Sequence, residues 1–451
     1  MAGGQGARLR PLTCNRPKPL VPICNKPIME YVLELLKRHG VTTMVVTLHY
    51  LADEVITYFG DGTDWGVQLI YSVESDPLGT AGSIKKVEHF LDETFLVISG
   101  DAFTDIDLSN VTAFHREKEA LATIALARVE SPLEFGVVIT DGDSRVERFV
   151  EKPTWSEVFS DTVNTGIYVL EPDILKSMEP DRPYDFSQDL FPAVMEKGGS
   201  IFGCVAEGYW CDVGNLQQYR QAQLDLLEGK VDLKPPGEYT SEGIWVGVGT
   251  QVHPSAFLEA PLVVGRNCRI RDNARLARFT VLGDDCVVEE GASLQRDVLW
   301  SDVYVGKNTR LAGSIVGRHT TIKNNVSVGD GVVLGDNVYV GTGAILQPKI
   351  KVWPDKNIEA GANVSLSLIW GKRWPGSLFG VEGISGLGNI EITPEFALKL
   401  GAAFGACLEK GSVVTSSRDS HPAARMTNRA LICGMVSVGV NVRDLRITPA
   451  P

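Results

Sequence analysis

Between Val246 and Val364 an aliphatic residue returns at every sixth position, and this period restricts the fold more than any other feature of the chain. One phase runs Val246, Val252, Leu258, Val264, Ile270, Leu276, Leu282, Val288, Leu294; a second runs from Val316 through Leu334 and Val352 to Val364, with Leu299, Val305 and Leu311 bridging them. A helix needs apolar residues at a period near 3.6 and an ordinary strand at 2, so a sustained period of six is neither. Strands of a sandwich do not hold a fixed six-residue phase either. What remains is a hexapeptide β-helix. Each short strand turns one aliphatic inward, and small or turn-prone residues follow it, as in Val264-Gly265-Arg266-Asn267 and Leu334-Gly335-Asp336-Asn337. One coil cannot bury its own face, so stacking supplies the core.

At 451 residues and 44% hydrophobic content the chain can build two or three domains with proper cores. Fifty-six acidic residues against 43 basic ones give a net charge of −13, which argues against a nucleic-acid-binding surface and against anionic membranes. Any phosphate must then be held locally. The eight cysteines show no Cys-x-x-Cys pair and no histidine cluster, so neither a zinc site nor a disulfide framework is expected. No apolar run approaches ~20 residues and no signal peptide opens the chain, from which a soluble, cytoplasmic protein is expected.

From residue 1 to about 230 apolar strands alternate with helical stretches. Thr42–Leu48, Val67–Val73, Phe95–Ser99, Ala122–Val129, Val137–Thr140 and Gly166–Leu170 read as strands, and Met29–His39, Ala81–Phe90 and Gln217–Leu227 as helices. That succession predicts an α/β domain with a largely parallel sheet, whose ligands sit at the carboxyl ends of strands. Near the start, Gly3-Gly4-Gln5-Gly6-Ala7-Arg8 forms a glycine-rich loop with a cation in it. Glycines let backbone N–H groups approach phosphate oxygens, and Arg8 can grip them bidentately. The loop is neither a Walker P-loop nor a G-x-G-x-x-G fingerprint. Downstream, Arg16-Pro17-Lys18-Pro19-Leu20 stiffens a second loop that carries Lys18 towards the same place.

These two loops, with Asn25-Lys26-Pro27-Ile28, Pro77-Leu78-Gly79-Thr80-Ala81-Gly82, Ser99-Gly100-Asp101, Phe135-Gly136-Val137-Val138, Glu151-Lys152-Pro153, Asn164-Thr165-Gly166-Ile167-Tyr168 and Tyr209-Trp210-Cys211-Asp212-Val213-Gly214, occur in order along the chain. Together they resemble the sugar-1-phosphate nucleotidyltransferases, the mannose-1-phosphate guanylyltransferases above all. The resemblance implies a Rossmann-like α/β nucleotidyltransferase domain over residues 1–230, followed by a left-handed parallel β-helix over 240–370. It also implies transfer of a nucleotidyl group from a nucleoside triphosphate, GTP favoured, to a sugar 1-phosphate with release of pyrophosphate. In that family Asp101 and Asp212 would hold Mg2+, Arg8 and Lys18 would steady the triphosphate, and Lys152 would meet the sugar phosphate. Gly3, Gly4, Gly6, Gly79 and Thr80 would lie on the nucleotide, and Gly136, Glu151 and Asn164 around the sugar.

Read from the residues alone, Asp101 is as readily a turn aspartate ahead of Asp105 and Asp107. Asp212 is equally a helix cap near Asn215, and Lys152 a solvated surface lysine paired with Glu151. The family's glycine loop follows a hydrophobic strand, whereas only Met1 and Ala2 precede Gly3 here, and the expectation is a true start farther upstream.

Beyond about Trp374 the repeat stops. Ile392-Thr393-Pro394 opens a capped helix, Val413–Thr415 reads as a strand and Asn428–Val438 as a second helix. With Leu378-Phe379-Gly380, the first of these helices, Ser417-Arg418-Asp419 and the closing Asp444-Leu445-Arg446-Ile447-Thr448-Pro449, this stretch, 376–451, resembles the opening α/β segment of the phosphohexomutases. Ser420-His421-Pro422 imitates that family's phosphoserine loop but stands immediately after the first strand, the wrong place for it, so no mutase activity is implied. The expected function is GDP-mannose synthesis by a homo-oligomer. The alternatives are uridylyl, thymidylyl or adenylyl transfer to glucose 1-phosphate, or a non-catalytic regulatory subunit that binds the nucleotide sugar.

Overall fold

The computed structural model describes residues 1–129, 131–151, 160–241, 243–369, 373–374, 379, 383–384, 386, 388–389 and 392–448. Lys152, Leu378, Gly380 and Pro449 lie outside these residues, as does the side chain of Glu151.

The first domain is α/β, but its sheet is mixed rather than largely parallel. The strand Thr162–Leu170 runs antiparallel to Phe95–Ile98, Ala122–Arg128 and Gly136–Thr140. Ile201–Val205 pairs parallel with Ala122–Arg128. Thr162–Leu170 is the longest strand of the set; its register with Ala122–Arg128 breaks at a bulge between Asn164 and Tyr168, and it also pairs with Gly136–Thr140 at Val163 and with Phe95–Ile98 from Ile167 on. Apolar residues without alternation made these strands look alike, and strand direction is invisible in such a pattern. Two further strands, Thr43–Leu48 and Gln68–Val73, pair parallel with each other and form a separate ribbon. The helices Ile28–Arg38, Gly79–Lys86 and Leu216–Leu227 fall within a few residues of their expected places.

Between the two sheets Met1 and Ala2 occupy one end of a slot. The Met1 amine donates to Ile98 O at 2.8 Å, Gly100 N donates to Met1 O at 2.7 Å, and Ala2 N donates to Thr47 O at 2.9 Å. The rest of the slot is a cavity of about 690 Å3 walled by Met44, Val45, Phe95, Leu96, Val97 and Leu36, among others.

The hexad repeat builds a parallel β-solenoid of three sheets, seven coils deep along the sheet that starts at Phe257–Leu258. Inward residues stack directly: Val264 on Leu282, Ile270 on Val288, Leu276 on Leu294. From Val264 to Val364 they form one buried core. The change of phase near Leu299 has a local cause. Val281 pairs with Val298 and Val298 with Ile315, so two successive coils each lose one residue at the same corner. There Asp297, fully buried, accepts hydrogen bonds from Gln295 N, Ser314 N and Ser314 Oγ at 2.7 to 2.8 Å. Corner residues such as Asn267, Asp285 and Asn337 adopt left-handed backbone, which Asn and Asp tolerate better than other side chains.

One solenoid sheet also turns aliphatics outward. Val263, Val281, Val298, Ile315 and Val333 are all buried against Leu9, Val21, Ile23, Ile28, Tyr219 and Leu226 of the first domain. At roughly 1.5–3 kcal/mol for each large side chain withdrawn from water, this face is the main attachment between the two domains.

The last segment is a βαβ unit. Val413–Arg418 and Asn441–Ile447 pair parallel, joined by the helix Pro422–Ser437, and Pro394–Ala406 packs on that helix. Thr393 Oγ1 caps the first helix at Phe396 N, 3.1 Å away. The second helix starts earlier than its apolar pattern, because His421 caps Ala423 N at 3.2 Å and Pro422 takes the first turn. Ser420-His421-Pro422 is thus a helix start. Among the described residues no helix is long and apolar enough to cross a membrane.

Candidate active site

The glycine loop is anchored from below and open above. Leu9 and Leu12 are buried, while Gly4 and Arg8 are exposed. Gly6 has φ +59°, a left-handed conformation natural to glycine, and its carbonyl accepts from Thr13 Oγ1 at 2.8 Å. Arg8 extends across Gly214, where a Cβ would lie 2.9 Å from its Nη2.

Lys18 opens a tight turn, with Leu20 N donating to Pro17 O and Val21 N to Lys18 O, both at 3.0 Å. Its buried side chain runs to two carboxylates. Lys18 Nζ is in direct contact with Asp101 Oδ2 and lies 3.5 Å from Asp212 Oδ1. Asp101 follows the strand Phe95–Ile98 and also accepts from Ser99 Oγ. Asp212 ends the strand Trp210–Asp212, whose antiparallel register sets Asp212 opposite Ala102 and so beside Asp101. Neither aspartate is a cap: the helix Leu216–Leu227 is capped by Asn215, whose Oδ1 accepts from Gln217 N and Gln218 N at 2.9 Å.

The three groups are electrostatically unequal. Burial alone would raise the Asp101 carboxyl, but the touching Lys18 ammonium and the Ser99 hydroxyl hold it below its ordinary value. Burial pushes Asp212 up, with Lys18 too distant to compensate and Asp101 repelling it. Burial works against the Lys18 charge, yet the two carboxylates outweigh it and its pKa is raised. One ammonium therefore serves two carboxylates, and Asp212 retains attraction for a further cation.

That is the fit expected of a divalent ion bound by hard oxygens. A cationic Nζ already stands between the two aspartates, and two carboxylates with waters and phosphate oxygens suffice for magnesium. Among the described residues no group of three or more His, Cys, Asp or Glu side chains is disposed as a metal cage.

The remaining expected residues are placed as follows. Gly79 begins a helix at φ +75° hard against the Tyr184 carbonyl, and Thr80 Oγ1 bonds Asp185 Oδ2 at 3.0 Å and Phe186 N at 2.9 Å. Gly136 pairs with Glu151 in the strand register and borders a cavity of about 480 Å3 that Ser187 and Gln188 also line. Asn164 donates to Ser187 Oγ and to the Tyr168 hydroxyl, both at 3.0 Å, and accepts from Gly166 N at the bulge.

The description "Nucleotidyl transferase" matches residues 1–229, just over half of the chain. A UTP–glucose-1-phosphate uridylyltransferase of a Synechocystis strain is 34% identical over 345 residues, covering 73% of this chain and 89% of that protein. The chain belongs to the nucleotidyl transferase family. A mannose-1-phosphate guanyltransferase of Hypocrea jecorina is also 34% identical, over 81% of this chain and 97% of its own length. HddC from Yersinia pseudotuberculosis, solved with GMP-PN, aligns at 27% identity and a TM-score of 0.44 over 50% of this chain and 96% of that one. Beyond the nucleotidyl transferase region, residues 241–346 match "EIF2B subunit epsilon LbH domain" and 376–451 match "Phosphoglucomutase/phosphomannomutase, alpha/beta/alpha domain I".

The roles of two residues beside this site were missed in the sequence. Ser99 stands within the Ser99-Gly100-Asp101 motif, but its role as a donor to the Asp101 carboxylate is not visible from that motif. Trp300, in the solenoid, packs on the loop that carries Lys18. Its signal was available: the paired aliphatics Val263-Val264, Val281-Leu282, Val298-Leu299, Ile315-Val316 and Val333-Leu334 mark a sheet covered on both faces.

Proposed function

We propose that the chain joins GTP and mannose 1-phosphate to give GDP-mannose and pyrophosphate, using Mg2+. The observation that carries this reading is Lys18 held between Asp101 and Asp212 beside the open glycine loop. The sugar phosphate is largely anionic at neutral pH, its second pKa being near ~6, so its oxygen attacks the α-phosphorus without a general base. A P–O bond forms there as the bond to the β-phosphate breaks, and pyrophosphate leaves. Catalysis reduces to alignment and charge neutralisation.

Gly3, Gly4 and Gly6 offer backbone donors to the triphosphate, and Arg8 and Lys18 bind its oxygens. Asp101 and Asp212 would hold the magnesium ion, which when bound supplies positive charge to the reacting phosphates. Gly79 and Thr80 lie towards the base. Gly136, Glu151 and Asn164 take the sugar, and Lys152 its phosphate. Eight unpaired cysteines suit a reducing compartment and support a cytoplasmic setting.

The guanyltransferase relative, nearly all of whose length the chain covers, favours GTP and mannose 1-phosphate. The uridylyltransferase relative, at the same identity, favours UTP and glucose 1-phosphate as the second reading. Pyrophosphate release measured over four triphosphates against mannose 1-phosphate and glucose 1-phosphate separates them. Turnover confined to GTP with mannose 1-phosphate is expected; release from UTP with glucose 1-phosphate alone would replace this reading with the second. No release from any pair would reject both.

A further inference from the structure

The loop bearing Lys18 is braced by the solenoid as well as by its own domain, where Leu20 is buried among Met29, Val32 and Leu33. Arg16 Nη1 donates to Leu20 O at 2.7 Å, closing a ring of chain with Lys18 at its centre. The Arg16 guanidinium lies over the Trp300 ring, 5.3 Å from its centroid. Trp300 is itself fixed: it is buried, and its Nε1 donates to the Tyr219 hydroxyl at 2.9 Å, which donates in turn to Pro22 O at 2.8 Å. Asn25 Nδ2 adds a bond to Leu282 O at 2.6 Å.

As a mere packing device this is a costly choice. Among the described residues Arg16 has no carboxylate in salt-bridge contact, and its buried Nε has no hydrogen-bond partner. The nearby Asp336 is already engaged by the guanidinium of Arg318, at 3.0 and 3.2 Å. Burial, with Arg318 repelling it, lowers the Arg16 pKa to about 10. An apolar side chain would fill the space with no such cost, but it could not bond Leu20 O and so could not shape the turn that aims Lys18.

We propose that Trp300 and Arg16 are positioning residues for the triphosphate site, the solenoid tryptophan holding the guanidinium that sets the Lys18 turn. The inference rests on Lys18 contacting the triphosphate, as in the proposed function. It makes the solenoid a working part of the phosphate site and not only a spacer.

The test uses the full chain and inorganic tripolyphosphate as a base-independent probe, titrated by calorimetry, beside steady-state kinetics. Arg16→Ala and Trp300→Leu should each weaken tripolyphosphate by about tenfold, in line with loss of a desolvated cation–π contact. The KM for the sugar phosphate should stay within about twofold in both, since no sugar-side group is touched. Trp300→Phe, which keeps a ring face, should restore most of the affinity, and the double variant should be no weaker than either single one. Unchanged tripolyphosphate affinity, additive losses in the double variant, or Trp300→Phe behaving like Trp300→Leu would overturn the proposal. If Trp300→Leu does not fold, Arg16→Ala with Trp300→Phe decides. A wild-type chain that binds tripolyphosphate but releases no pyrophosphate from any substrate pair would reject the proposed function and leave the brace to be judged on affinity. One that does not bind tripolyphosphate rejects the brace as well.

Discussion

Joining four apolar, strand-forming residues to Met1 should fill the slot between the strands Thr43–Leu48 and Phe95–Ile98 and stabilise the first domain. The register follows from the bonds already made. Met1 bonds Ile98 O and Gly100 N and so stands opposite Ser99, while Ala2 bonds Thr47 O and stands opposite Leu48. Four added residues would then face Ile98, Val97, Leu96 and Phe95 on one side and Val46, Val45, Met44 and Thr43 on the other. Burying four large side chains contributes ~6–12 kcal/mol, and ordering the same residues costs a similar amount. The net gain comes from roughly six new backbone hydrogen bonds at ~0.5–1.5 kcal/mol each, so at least ~3 kcal/mol remains. That corresponds to about 6–12 °C in melting temperature for a domain of this size.

The amine gives a second, independent signature. Burial lowers the Met1 amine to about 6 from an ordinary value of 8.0, so the folded state favours its neutral form. Stability should therefore rise as pH rises from about 6 to 8, by roughly 2 kcal/mol, and the contribution is lost as pH falls back through that window. A peptide N–H in its place can still donate to Ile98 O and carries no charge. Melting followed at pH 6 and pH 8 should show the apolar extension ahead at both, with the larger margin at pH 6. A four-residue Gly-Ser extension should remove the pH step and add little else. If the Gly-Ser and apolar extensions melt together, the slot does not bind a strand and the reasoning fails.

Asp101→Asn and Asp212→Asn should each cut turnover by orders of magnitude while the chain keeps its fold, because each removes a carboxylate worth several kcal/mol of charge stabilisation in the reaction; near-wild-type pyrophosphate release in either would reject the metal assignment. Lys18→Ala should strongly reduce turnover yet leave sugar-phosphate binding intact by calorimetry, and a lost sugar-phosphate affinity would move Lys18 to the other substrate. Ile315→Asp places an unpaired charge in the fully buried joint between solenoid and first domain. It should cost ~3–5 kcal/mol and split calorimetric unfolding into two transitions, whereas an unchanged single transition would show that the outward aliphatics do not hold the domains together.

What the sequence determined by itself is whatever local spacing encodes. A six-residue return of one aliphatic specifies the short stacked strands of a β-helix; that three such repeats close one coil and set Val264 over Leu282 came only with the strand pairing. Caps and breakers are equally local, as Thr393-Pro394 shows. The glycine loop, Lys18, Asp101 and Asp212 were legible as motifs. The convergence of the two aspartates followed only from the family resemblance, because it depends on an antiparallel register between Trp210–Asp212 and Ala102–Thr104 that no pattern within either strand specifies. The antiparallel entry of Thr162–Leu170 escaped for the same reason: a strand buried on both faces looks identical in either direction. The tertiary structure alone decided that the solenoid's outward face packs beneath the loop that carries Lys18 and brings Trp300 to Arg16. An outward aliphatic states that something covers it, and only the folded chain supplies what does.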